Sequence, residues 1–241
     1  MRPLDRCYNI ADLREAGRRR LPKGVFEYVD RGTEDEVAAR ENRAAFERIK
    51  MLNRVLVDVS KIDMTTTLFG KPMSLPVAIA PTGIAGLCWY EGELELARAA
   101  KSFGIPFSLA TGSNTALERV AREGGRPWFQ LYMWEKRELS LELVRRARDA
   151  GFDALILTVD PALGANREHN QRNGFAQPFR PNARNVADLM LHPGWLRRVL
   201  FRYLATSGMP RHENYPEQYR LPVTGDAGEI EIGRASCRER V

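Results

Sequence analysis

The sequence predicts an α/β fold built on a parallel sheet, and three observations carry that prediction. Short apolar runs alternate with amphipathic helical stretches from Leu75 onward. Glycines stand where each helix hands over to the next run, at Gly104, Gly124 and Gly151, positions suited to a left-handed helix end. The chain has 241 residues, 44% of them hydrophobic, which is enough to bury a sizeable core.

Taken in order, residues 9–20 and 34–50 have helical spacing, the second with Ala45, Phe46 and Ile49 grouped on one face. Residues 1–74 are therefore expected to form a helical N-terminal segment. Residues 75–80 then read as a short buried strand, followed by a helix over 91–103 with Leu96, Ala99 and Phe103 together. The unit repeats as strand 105–111 and helix 115–123, as strand 128–133 and helix 136–150, and ends on strand 153–160. Residues 75–160 thus hold four strands, and no fifth follows. Residues 161–224 are expected to be a long loop excursion, because six prolines fall between 176 and 224 around one amphipathic patch at 195–204. Residues 225–241 end in GRASCRERV, which resembles sequencing-adapter read-through, and they are expected to be a non-native tail.

Composition excludes several classes of function. The opening residues have no apolar core or small-residue cleavage site, so a cytosolic start is expected. The longest apolar stretch, 75–90, is interrupted by Pro76 and Pro81 and falls short of the roughly 20 residues of a spanning helix. Cys7, Cys88 and Cys237 are odd in number and lack metal-ligand spacing, so neither a disulfide framework nor a metal site is expected. The net charge of +6 is spread without a long basic run, which fits solvated helix faces better than a nucleic-acid surface.

In a parallel α/β sheet, ligands sit at the C-terminal ends of the strands. Period-two alternation puts Trp128, Gln130 and Tyr132 on one face of the third strand and Phe129, Leu131 and Met133 on the other. It likewise groups Ile156, Thr158 and Asp160 against Leu155, Leu157 and Val159. Gln130, Tyr132, Thr158 and Asp160 should converge, to be satisfied by a bound ligand or by a hydrogen-bond network of their own. Arg167, just beyond, is a candidate to grip a carboxylate through two parallel hydrogen bonds, with a surface arginine as the ordinary alternative.

Five blocks, LPKGVFEYVDRGTEDE, IAPTGIAGLCWYEGE, WFQLY, LTVDPALGANRE and LHPGW, occur in an order that resembles the FMN-dependent 2-hydroxy-acid dehydrogenase and oxidase family. The likeness runs from about Tyr8 to Glu217 and leans toward its mandelate and L-lactate dehydrogenases. It implies a TIM (β/α)8 barrel with FMN across the C-terminal mouth, present here as the helical segment and about the first four βα units. It further implies that Pro81, Thr82 and Gly83 lie along the flavin, and that Gln130 and Thr158 hydrogen-bond its ring. Where the family commonly has a serine this chain has Ala110, leaving Thr111 to supply a hydroxyl. By the same resemblance Tyr28 and Arg167 meet the substrate carboxylate and Tyr132 the reacting hydroxyl. Asp160 would stabilise a protonated catalytic histidine. Gly83 leans toward dehydrogenases, since oxidases more often have alanine there.

The family's flavin-side lysine, its Asn-His-Gly segment with the base, its second substrate arginine and its phosphate-binding glycine strands find no match. The chain itself is therefore expected to be inactive. His169, His192 and His212 do not match the base and are expected to be structural or solvent-facing. For the intact protein the resemblance implies oxidation of an L-2-hydroxy acid, with lactate, mandelate and glycolate all open, by a cytoplasmic homo-oligomer. Membrane-associated members use the excursion as an anchor. Trp195, Leu196, Val199, Leu200 and Tyr203, interleaved with Arg197, Arg198 and Arg202, fit contact with the inner face of the membrane. Packing of the same patch on the barrel or a neighbouring subunit is the other reading. Two rival functions stand beside the enzyme: a non-catalytic membrane-surface or partner-binding fragment, and a flavin-free phosphate-binding TIM-barrel enzyme.

Overall fold

A computed structural model describes residues 4–159, 166–175, 182–220 and 222. Three helices open it: α1 (Ile10–Arg20), α2 (Lys23–Asp30) and α3 (Val37–Arg48). The Asn9 side chain caps α1 by accepting the Asp12 N–H at 2.8 Å. Helix α2 is not legible in the sequence, because eight residues with Gly24 near the start carry little helical pattern and the helix is held by burial of Val25.

Residues 1–74 are not helical throughout. A hairpin of β1 (Thr66–Leu68) and β2 (Lys71–Met73) closes them. Its two turn residues, Phe69 and Gly70, both have positive φ, as the twist of a two-residue hairpin demands.

The parallel sheet comprises β3 (Phe107–Ala110), β4 (Pro127–Tyr132) and β5 (Ala154–Thr158), neighbours in chain order. Residues 75–80, expected as the first strand, join it only at Ile79, whose N–H donates to Pro106 O (2.9 Å) and whose carbonyl accepts the Ser108 N–H (3.0 Å). Pro76 and Pro81 lack N–H donors on either side, which keeps the pairing from spreading. Sequential parallel neighbours, with no reversal of order, make the wall of a barrel, not a doubly wound sheet.

Helices α4 (Gly92–Phe103), α5 (Leu117–Glu123) and α6 (Arg137–Asp149) cover the outside of this wall. Leu94, Leu109, Leu117, Phe129, Leu131 and Leu143 are buried between them and the sheet. Gly104, Gly124 and Gly151 all have positive φ at the helix ends. On β5 the outward residues Leu155 and Leu157 are 46% and 50% exposed, so among the described residues no helix covers that face.

The N-terminal ends of the strands are plugged by the hairpin. From just before β4, Arg126 donates to the carbonyls of Leu68 (3.0 Å), Lys71 (3.3 Å) and Pro72 (3.3 Å) and pairs with Asp153 at 3.2 Å. Lys71 also pairs with Asp153, and Phe69 lies edge-on to Trp128 with ring centroids 5.7 Å apart. The hairpin is thus fastened across that end of the strands, opposite the end at which ligands sit in parallel α/β folds.

The described parts of the excursion are largely helical: α7 (Glu168–Arg172), α8 (Ala183–Met190), α9 (Pro193–Trp195), a wide π turn (Leu196–Leu200) and α10 (Phe201–Thr206). They form a second core with Leu21, Val25, Ile84, Leu87 and Tyr90. Of the two readings of the patch at 195–204, packing on the protein accounts for its apolar side. Trp195, Val199 and Tyr203 are buried, and Leu196 and Leu200 pack against them. The indole N–H of Trp195 donates to Leu87 O (2.7 Å), and the Tyr203 hydroxyl accepts the Glu91 N–H (3.1 Å), so each polar tip has an interior partner. Phe201 and Leu204 are exposed instead, beside Arg197, Arg198 and Arg202. No helix among the described residues is long and apolar enough to cross a membrane. Asp160 and residues 225–241 lie outside the described residues.

Arg126→Ala is expected to lower the unfolding free energy by about 3 kcal/mol, because three carbonyls lose a donor and buried Asp153 loses its nearer-buried partner. A urea unfolding curve measures it, and a loss below about 1 kcal/mol would mean that the hairpin is not held this way.

Candidate active site

Three neighbouring strands bring residues near their C-terminal ends to one place. Register pairs Ala110 with Gln130 and Tyr132 with Thr158, so β4 and β5 end level while β3 stops two residues short. Thr111, one residue past β3, donates its hydroxyl to Gln130 O (2.6 Å) and its N–H to Gln130 Oε1 (3.2 Å). The Gln130 amide in turn donates to Thr158 Oγ1 (2.8 Å), and the Tyr132 N–H reaches Thr111 Oγ1 at 3.4 Å. Three of the residues singled out for flavin contact thus form one hydrogen-bonded row, with Gln130 buried at its centre.

The two residues assigned to the substrate carboxylate also meet. The Arg167 guanidinium lies 5.2 Å from the centroid of the Tyr28 ring and donates to the Tyr28 carbonyl at 3.3 Å. Burial pushes the Tyr28 phenol up, Arg167 pulls against that, and Tyr132 and Cys88 reinforce it. Tyr28, Tyr132 and Arg167 therefore share one electrostatic neighbourhood. Tyr28 is steadied from behind by Phe175, ring to ring at 5.5 Å.

Pro81 and Gly83 are half-buried and Thr82 is exposed. A methyl group at Gly83 would sit 3.5 Å from Gly112 O, an ordinary contact, so the lean toward glycine is not enforced by space. Asp160, the remaining catalytic candidate, lies outside the described residues.

The segment 211–215 was not singled out, and it builds one wall of this end of the barrel. Its backbone and side chains stitch onto the loop between β3 and α5. His212 Nδ1–H donates to Gly112 O (3.1 Å), Glu213 N–H to Ser113 O (3.1 Å), and Asn114 Nδ2 to Arg211 O (3.0 Å). Buried Asn214 donates to Thr115 O (3.1 Å) and accepts the Leu117 N–H (2.8 Å). Tyr215 stacks on His212 with centroids 4.7 Å apart. From the other side buried Glu93 accepts the Asn114 N–H (3.1 Å) and the Thr115 hydroxyl (3.2 Å).

His169 is buried and His212 half-buried, and desolvation lowers the pKa of both. His192 bonds the Asp188 carbonyl at 2.7 Å. Partners about 100 residues apart leave no periodic trace, so only the clustering of His212, Asn214 and Tyr215 before Pro216 offered a signal.

A family model described as FMN-dependent dehydrogenase matches residues 17–228. The chain is 42% identical over 196 residues to a putative L-lactate dehydrogenase of Mycobacterium tuberculosis, covering 80% of this chain and 47% of that protein. It is 41% identical over 209 residues to the (S)-mandelate dehydrogenase of Pseudomonas putida, covering 86% and 52%. A crystal structure of monotopic membrane protein (S)-mandelate dehydrogenase superposes with a TM-score of 0.83 at 38% identity, over 90% of this chain and 57% of that one. The chain spans about half the length of the curated relatives it matches.

Burial holds the Tyr215 phenol up to about 12, with Tyr28 and Tyr132 adding to the effect. Below pH about 10 the phenol is neutral whether the chain is folded or not, and its contribution is complete. Above that the unfolded chain ionises while the folded one holds its proton, so stability should fall as pH rises toward about 12. Thermal unfolding at pH 9 and near pH 11.5 should show this loss, and Tyr215→Phe should reduce it. An identical loss in the variant would remove Tyr215 as its source.

Proposed function

Because the chain belongs to the FMN-dependent dehydrogenase family, we propose that it supplies the flavin-edge and carboxylate-binding half of a barrel that oxidises an L-2-hydroxy acid to the 2-keto acid. The observation that carries this reading is Arg167 set against Tyr28 in the same electrostatic neighbourhood as Tyr132, at the open end of the strands. A guanidinium and a phenol grip the carboxylate, and the Tyr132 hydroxyl orients the alcohol at the adjacent carbon.

The row of Thr111, Gln130 and Thr158 suits a flavin edge, whose donors and acceptors alternate, because Thr111 fixes the Gln130 amide in place and the Thr158 hydroxyl can rotate to match. Pro81, Thr82 and Gly83 would lie along the ring. When bound, FMN supplies the two-electron acceptor. The protein's own part is to fix the acid, exclude water and hold the ring in register with it. Asp160 is assigned to the charge that builds on a catalytic histidine. Lactate and mandelate are the acids its relatives' names support. The exposed Arg197, Arg198 and Arg202, with Phe201 and Leu204, support peripheral attachment to the inner face of the membrane, as does the likeness to a monotopic structure.

The test is anaerobic reduction of flavin in the complete barrel by L-lactate and (S)-mandelate, followed by absorbance. Arg167→Ala should lower kcat/KM about 100-fold, the loss of a charge-assisted pair worth about 2.7 kcal/mol. A correctly folded protein that binds no flavin would sink the proposal in favour of a phosphate-binding barrel.

A further inference from the structure

An apolar cavity of about 380 Å³ lies outside the candidate site, between α2, α8 and the helical run 193–206. Its walls are Val25, Ile84, Leu87, Phe175, Leu189 and Trp195. It opens past Leu191, Ala187, Lys23 and Arg184, all exposed. An apolar cavity with an open mouth gains by taking in hydrocarbon, since its walls make few contacts otherwise.

The charges at the mouth say what that hydrocarbon carries. Lys23 and Arg184 stand there with Asp188, which accepts the Lys23 backbone N–H at 2.7 Å, and Lys23 Nζ lies 3.7 Å from Glu27 on its own helix. The wider segment 182–206 holds four arginines and one acid. The exposed apolar side chains of Met190, Leu191 and Phe201 lie on this same segment. A cationic excess along this segment, an apolar interior and exposed apolar side chains on the same segment complement one ligand class.

We propose that this cavity takes one acyl chain of an anionic membrane phospholipid, with its headgroup phosphate against Lys23 and Arg184. The proposal rests on the membrane-attachment reading and goes further, because it makes attachment a matter of an individual lipid seated in the protein and not of surface contact alone.

The experiment uses the full chain with vesicles of phosphatidylcholine containing phosphatidylglycerol that bears a spin label midway along one acyl chain. The label should quench the fluorescence of Trp195, identified as the share lost in Trp195→Phe. Ala187→Phe fills the mouth from an exposed helix position and should cut this quenching at least fivefold, while co-sedimentation with the vesicles persists. Lys23→Glu combined with Arg184→Glu should abolish the preference for phosphatidylglycerol over phosphatidylcholine. Co-sedimentation with equal quenching in wild type and Ala187→Phe overturns the cavity and leaves surface attachment standing. Absence of co-sedimentation overturns both. Quenching by spin-labelled free stearate but not by the labelled phospholipid overturns the assignment to a membrane lipid.

Discussion

The Gln130 carboxamide ties three strands together at their open ends. Its oxygen takes the Thr111 N–H and its nitrogen gives to Thr158, so neighbours 19 and 28 residues away are fixed by one buried side chain. That bond pattern depends on the parallel register, which sets Thr111 just past β3 alongside β4 and pairs Gln130 with Ile156 on β5. Shift β4 by one residue, and Gln130 would point into the apolar layer under α5 and α6 while Phe129 or Leu131 turned to the mouth. Everything said about the candidate site follows from the pleat being in this phase.

Much of that phase was legible in the sequence. Alternation in 128–133 and 153–160 assigned Gln130, Tyr132 and Thr158 to one face, and in the structure Phe129 and Leu131 lie in the helix-covered core as the same alternation requires. Helices α4 and α6 were legible too, because each is long enough for an apolar stripe to repeat. What escaped was short or non-local. The hairpin has three residues a side, too few to show a period. Residues 75–80 had the composition of a strand, but the prolines decide how much of it can pair. The segment 211–215 owes its place to partners nearly 100 residues back, which no local pattern encodes.

The amphipathic patch at 195–204 shows the limit of pattern reading most clearly. Interleaved arginines and apolar residues defined two sides correctly, but could not say which apolar residues would meet protein and which would meet the surroundings. The polar tips of Trp195 and Tyr203 settle it, since each has a backbone partner inside. The two ends of the barrel divide similarly. Arg126 and Asp153 hold a fixed plug at one end, and loops held by Glu93 and Asn214 shape the other.

The wide turn at Leu196–Leu200 has a consequence for how this segment tolerates change. Trp195, Val199 and Tyr203 are each four residues apart, and in a regular α-helix, at roughly 100° per residue, such a series drifts by about 40° at each step. The loosened turn takes up that drift and keeps all three in one buried line. It behaves like a single extra residue accommodated without breaking the helix. Deleting one residue there would restore ordinary winding with the Trp195 and Tyr203 side chains about 20° from alignment, so Tyr203 would keep its place against Tyr90, with which it packs at 4.8 Å, whereas a further inserted residue would have no spare turn to absorb it. Shortening by one residue is the length change this stretch of the chain can absorb, and lengthening is the one it cannot.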